Sequence, residues 1–251
     1  MHDLPLRSLS AVSFVLLAPI LFLQGRGVRR VTPRLPPADG PHRGIVPGPR
    51  PLRLLIAGES TVVGVGVATH DEGLAGQTAR ALAASTGRGV RWRVLGRSGA
   101  TARHLVAECI GPAAPIHADV IVIALGVNDT ISVSPVGRWV RALDALLHGV
   151  RRTSLDAAVI VSGVPPMQIF PAFPAPLRHV LGLRARVLDR AAVRWAASHA
   201  GVRHVPHLTT PPAEVPEMFC ADRFHPSVPG YARWGAALAT AASDILQDTS
   251  C

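Results

Sequence analysis

Short apolar runs alternating with helical patterns along most of the chain constrain its fold more than any other feature. Strands are expected near residues 53–57, 90–95, 120–125, 158–162 and 202–205, with helices near 72–84, 101–109, 136–151, 184–199 and 230–246. Strands separated by helix-length segments predict a parallel sheet. The run 119–125 is the strongest buried strand, and no internal repeat is evident. A chain of 251 residues, 48% hydrophobic and 17% charged, is enough for one α/β domain with a sizeable core.

Sheets of this kind present ligands at the C-terminal ends of their strands. Leu54-Leu55-Ile56-Ala57 runs into Gly58-Glu59-Ser60-Thr61, which puts the Ser60 hydroxyl on a tight turn at such an end. A serine hydroxyl attacks a carbonyl only when a base takes its proton, and the base works best when a third group orients it. Asp222-Arg223-Phe224-His225-Pro226 supplies both, His225 as the base and Asp222 as the orienting carboxylate. Donors for a developing oxyanion are available on two further loops. They are the Gly99 amide in Gly96-Arg97-Ser98-Gly99-Ala100-Thr101 and the Asn128 side chain in Gly126-Val127-Asn128-Asp129. Each residue taken singly also reads as ordinary turn, cap or loop chemistry. It is their joint occurrence, in order and at successive strand ends, that points to catalysis.

In that order the four blocks resemble the GDSL/SGNH hydrolase family over residues 53–246. The resemblance implies a three-layer α/β/α, flavodoxin-like fold with a central parallel sheet of about five strands. It also implies a serine esterase or lipase in which Ser60, the Gly99 amide and Asn128 line the oxyanion hole. Such an enzyme acts on a small-molecule or lipid ester and needs no cofactor. The family's first block usually reads Gly-Asp-Ser, whereas Glu59 precedes Ser60 here. The same residues would serve an acyltransferase or a thioesterase, and a membrane-tethered binding module could keep the fold without turnover.

Other patterns carry less. The glycines between Gly58 and Gly66 lack the Gly-Lys-Ser/Thr of a phosphate loop, and Gly64-Val65-Gly66 lacks the third glycine of a dinucleotide fingerprint. His204 and His207 have no accompanying cysteine or carboxylate cluster, so no metal is expected. Cys109, Cys220 and Cys251 form neither a metal spacing nor an even disulfide framework. The formal net charge of +10 comes from arginine without any lysine, and residues 1–50 hold seven Arg against Asp3 and Asp39. With 4% aromatics and no recognition motif, nucleic-acid binding is not expected.

Residues 11–23 are almost wholly apolar, and Arg26, Arg29 and Arg30 follow them. The organisation expected is a hydrophobic anchor or signal-like segment over 1–24, an Arg/Pro-rich linker over 25–51 and a catalytic domain over 52–248. An uncleaved anchor gives membrane association, and the basic cluster would then hold the domain in the cytoplasm. A cleaved or reversed segment would export it, and an extra amphipathic helix packed on the domain is the remaining reading. The insertion 165–174, rich in Pro and Phe, is placed to wall an acyl pocket.

Overall fold

The computed structural model describes residues 4–110, 117–207 and 214–248. Six strands form one sheet: β1 (Arg43–Val46), β2 (Leu52–Gly58), β3 (Val90–Gly96), β4 (Val120–Ala124), β5 (Ala158–Ser162) and β6 (Val202–Val205). Their spatial order is β1-β3-β2-β4-β5-β6, and every pairing is parallel except that of β1 with β3. β4 and β5 are buried at every position, as strands must be when helices cover both faces.

The two-residue period divides the core. Leu54, Ile56, Val120, Val122 and Ile160 meet α2 (Leu74–Thr86) and α8 (Val228–Asp248) on one face. Leu55, Ala57, Ile121, Ile123 and Val159 meet α3 (Ala102–Ile110), α5 (Val136–Arg151) and α6 (Leu177–Ala197) on the other. In α5 the buried residues Trp139, Leu143, Leu146, Leu147 and Val150 recur at the three- and four-residue spacing of one helix face. Two short helices complete the fold, α4 (Val127–Ile131) and α7 (Val215–Met218).

Register fixes where the loops emerge. Gly58 of β2 pairs with both Gly96 of β3 and Ala124 of β4, so three strands end at one level. The chain passes from β2 out to β3 and returns to β4 on the opposite side, making this end the topological switch point. Glycine is required at position 58, because a Cβ there would collide with the Ala124 carbonyl oxygen.

The N-terminal fifth differs from the expected organisation. α1 spans Leu4–Val31, well beyond the apolar run 11–23, and is docked on α6. Gln24 Nε2 donates to the Ala175 carbonyl at 2.7 Å, and the Leu177 amide donates to Gln24 Oε1 at 3.1 Å. Leu21 is buried in the core. Residues 25–51, expected as a linker, contain the last turns of α1 and the edge strand β1, whose Gly44 stands opposite Trp92. Proline and glycine in that stretch mark turns around a paired strand rather than a free tether. The sheet accordingly contains the five expected parallel strands and one more, β1, which pairs antiparallel with β3 at the edge. α6 begins at Leu177, not at 184. In the 165–174 insertion Met167, Phe170 and Phe173 are buried and Ile169 is half-buried.

Candidate active site

The loop after β2 carries Ser60, whose carbonyl accepts the Val65 amide at 3.1 Å, closing a compact turn. The loop before α8 carries Asp222 and His225. There the Cys220 amide donates to the His225 carbonyl at 2.9 Å and the Arg223 amide to the Cys220 carbonyl at 2.8 Å. Arg223 is forced to a φ of 59°, a left-handed conformation that an arginine rarely adopts and that the surrounding bonds hold in place.

These two loops meet. His225 Nε2 lies 2.9 Å from Ser60 Oγ, and His225 Nδ1 lies 2.6 Å from Asp222 Oδ2. An ionised carboxylate only accepts, so Nδ1 carries the proton and Nε2 is left to accept from the serine hydroxyl. Asp222 Oδ1 accepts from the Phe224 and His225 amides at 2.9 Å each and from Cys220 Sγ at 3.0 Å. Burial raises the Asp222 pKa, but the hydrogen bonds from His225, Cys220 and the two amides outweigh it and hold the pKa at about 2. The carboxylate is therefore ionised wherever the imidazole needs it.

Gly99 has a φ of 77°, which turns its loop back toward the serine, and it lines the same cleft as Ser60, Asn128 and His225. The Ser60 and Gly99 amides make no hydrogen bond to another described residue. Asn128 is more constrained. Its Nδ2 donates to Glu59 Oε2 at 2.5 Å and to the Ala100 carbonyl at 3.1 Å, which occupies both amide protons.

Glu59 is the residue whose part here the sequence did not disclose. Glu59 is 3% exposed, and its carboxylate accepts from the Val127 and Asn128 amides at 2.9 Å each, besides the Asn128 side chain. It thus ties the loop after β2 to the loop after β4 and aims Asn128. Burial pushes its pKa up to about 7, against the donors that favour the charged form. The signal available was a carboxylate beside the serine at a strand end, but the partner lies across the sheet. Cys220 is equally local: it is a free thiol whose pKa burial and Asp222 push up to about 12, so it stays protonated and serves as a donor. The Cys109 side chain and Cys251 lie outside the described residues.

Ser60 and His225 border two spaces. An inner one is apolar, walled by Leu125, Ile169, Phe170, Phe219, Phe224 and Trp234. Phe170, Phe219 and Phe224 pack ring on ring there, with centroids 5.2 and 5.3 Å apart. The outer cleft runs from Ser60, Gly99 and Asn128 to the side of α1. Among the described residues no three His, Cys, Asp or Glu side chains gather as a metal-binding set. His204 Nε2 is instead 2.9 Å from Asp189 Oδ1, and His207 packs on Trp234.

The sequence model of the GDSL-like lipase/acylhydrolase family matches residues 56–233. A GDSL-like esterase of Mycobacterium tuberculosis is 34% identical over 213 residues, which cover 80% of this chain and 64% of that protein. The chain thus spans less than two thirds of that relative. Among solved structures, the lipase Lip_vut3 from a goat rumen metagenome superposes with a TM-score of 0.62 at 18% identity, covering 76% of this chain and 98% of that one. The family 3 carbohydrate esterase of Clostridium thermocellum gives 0.62 at 15% identity, covering 80% and 100%. A lipolytic protein of the G-D-S-L family from Veillonella parvula gives 0.56 at 18%, covering 75% and 96%. At these identities the solved structures speak for the fold alone.

Proposed function

The chain belongs to the GDSL-like lipase/acylhydrolase family, and from that premise we propose that it hydrolyses carboxylic esters through an acyl-enzyme on Ser60. One observation carries the reading: the unbroken relay from Asp222 Oδ2 through the His225 ring to Ser60 Oγ, with steps of 2.6 and 2.9 Å. Ser60 Oγ attacks the ester carbonyl carbon while His225 Nε2 takes its proton. The imidazolium formed is stabilised by Asp222, then returns the proton to the leaving alcohol as the tetrahedral intermediate collapses. Water, deprotonated by the same nitrogen, attacks the acyl-enzyme. As the second tetrahedral intermediate collapses, Ser60 Oγ leaves, takes that proton back from His225 and releases the carboxylic acid.

The oxyanion is held by the Ser60 and Gly99 amides and by Asn128 Nδ2. For Asn128 to join them it gives up the longer of its two bonds, that to Ala100, and keeps Glu59 as its anchor. Residues 52–248 carry the whole of this chemistry, and no step calls for a cofactor. Acyl transfer to another acceptor and thioester cleavage would use the same residues, and nothing in the site favours them over hydrolysis.

Replacing Ser60 with Ala tests the reading. Hydrolysis of p-nitrophenyl acetate should fall by roughly 10⁴-fold or more and labelling by a fluorophosphonate should vanish, with circular dichroism unchanged. His225→Ala should lose nearly as much and the double variant little more, because the two act as a unit. Retained turnover in Ser60→Ala would remove the serine from the mechanism.

A further inference from the structure

α1 is apolar around much of its circumference, and only the side that carries Ser10 and Leu21 is buried against protein. Phe14, Ala18, Leu21, Gly25 and Val28 recur every three or four residues and line the outer cleft together with Phe173, Leu177, Ser60 and His225. The outer cleft is the roomier of the two spaces that border Ser60, about 890 Å³ against about 70 Å³ for the inner pocket. The other stripe, Leu9, Val12, Leu16, Ile20 and Leu23, has the same spacing and is 47–74% exposed. A helix on the surface of a water-soluble domain buries its apolar stripe and shows a polar one. Here the outward stripe is itself apolar, and exposed Arg26, Arg29 and Arg30 follow at its C-terminal end.

By length and composition α1 could cross a membrane. Its docking argues otherwise. From Ser10, which is 3% exposed, through Leu21 and the Gln24 bonds to α6, one side of the helix is held against the domain. A bilayer core about 30 Å thick takes about 20 consecutive residues to cross, and the contacts at Ser10, Leu21 and Gln24 fall within the apolar stretch that would have to cross it. With one side taken up by the domain, the exposed apolar face of α1 is satisfied by lying in the lipid interface, with Arg26, Arg29 and Arg30 at one end at the level of anionic headgroups.

We propose, on the basis of the esterase reading above, that α1 lies in the plane of an anionic membrane surface with its outward stripe in lipid, while its inward stripe forms the wall along which the apolar tail of a membrane-resident ester reaches Ser60. The substrate class is then a long-chain lipid ester taken from the bilayer, and α1 is a specificity element as well as an attachment.

The test uses the full chain with vesicles of phosphatidylglycerol and phosphatidylcholine. Gly25 has no neighbour within 4 Å of where a Cβ would stand, so Gly25→Leu fills the cleft while favouring the helix. Its ratio of kcat/KM for a palmitoyl ester to that for an acetyl ester should drop at least tenfold. An unchanged ratio overturns the wall. The pair Leu16→Ser and Leu23→Ser should weaken vesicle binding at least tenfold, and undiminished binding overturns the lipid face. Fluorophores placed singly through Leu9→Cys, Leu16→Cys and Leu23→Cys should be quenched by brominated lipids at one shallow depth. A depth that rises and falls along the helix would mean that it spans. If the wild type fails to cleave the acetyl ester, the esterase reading falls and the substrate assignment with it, whereas the depth profile judges the seating of α1 by itself.

Discussion

At Asp222 and Glu59 the same physical terms give opposite outcomes. Asp222 is held at about 2 because its hydrogen bonds outweigh burial, whereas Glu59 is raised to about 7 because burial outweighs its donors. The linkage signs are therefore opposite. Asp222 contributes stability in full above its ordinary value of 3.8, and that contribution is lost as the pH falls through about 2. In denaturant titrations, the gap in unfolding free energy between wild type and Asp222→Asn should close over this acid range. The contribution of Glu59 is complete below its ordinary value of 4.5 and is lost as the pH rises through about 7. The unfolding free energy of the wild type relative to Glu59→Gln should accordingly fall from pH 4.5 to 7, and a difference constant with pH would mean that Glu59 keeps an ordinary pKa. Asn128→Ala should lower kcat by roughly 10²–10³ with little change in KM, since an oxyanion donor serves charge present only in the transition state. A pure KM effect would make Asn128 a substrate-binding residue instead.

Among the elements, α1 and β1 turn the N-terminal segment from an appendage into part of the domain. Leu21 is 5% exposed within the core that α6 shares, so Leu21→Ala should cost about 2–4 kcal/mol in chemical denaturation. Deleting residues 1–50 removes the strand paired with β3 together with the α1 contacts, and exposes Phe173, Leu177 and the edge of the sheet. The truncated chain should melt well below the full one. Equal melting temperatures would restore the picture of a tether that the proline-rich composition of 25–51 suggested. That composition misled because four residues, Arg43–Val46, suffice for an edge strand, and a strand so short leaves almost no alternating pattern to read.

For the whole molecule, the fold class, the five parallel strands and the order of the motif loops were legible in the chain. Their physical origin is local: buried parallel strands need continuous Val and Ile runs, and turns need Gly, Asn and Asp. That Ser60, Asp222 and His225 would meet was legible for a related reason, because they sat at strand ends and a following loop whose order implied one edge of a sheet. Tertiary structure alone decided the rest. Glu59 became the anchor of Asn128 only because the β2–β4 register sets position 59 beside residues 127 and 128, a contact across 68 and 69 residues of sequence. The apolar run of α1 was visible as a string, but which of its stripes meets the protein depends on where α6 and Phe173 lie. Periodicity tells a helix that it has faces, and only packing tells each face what it touches.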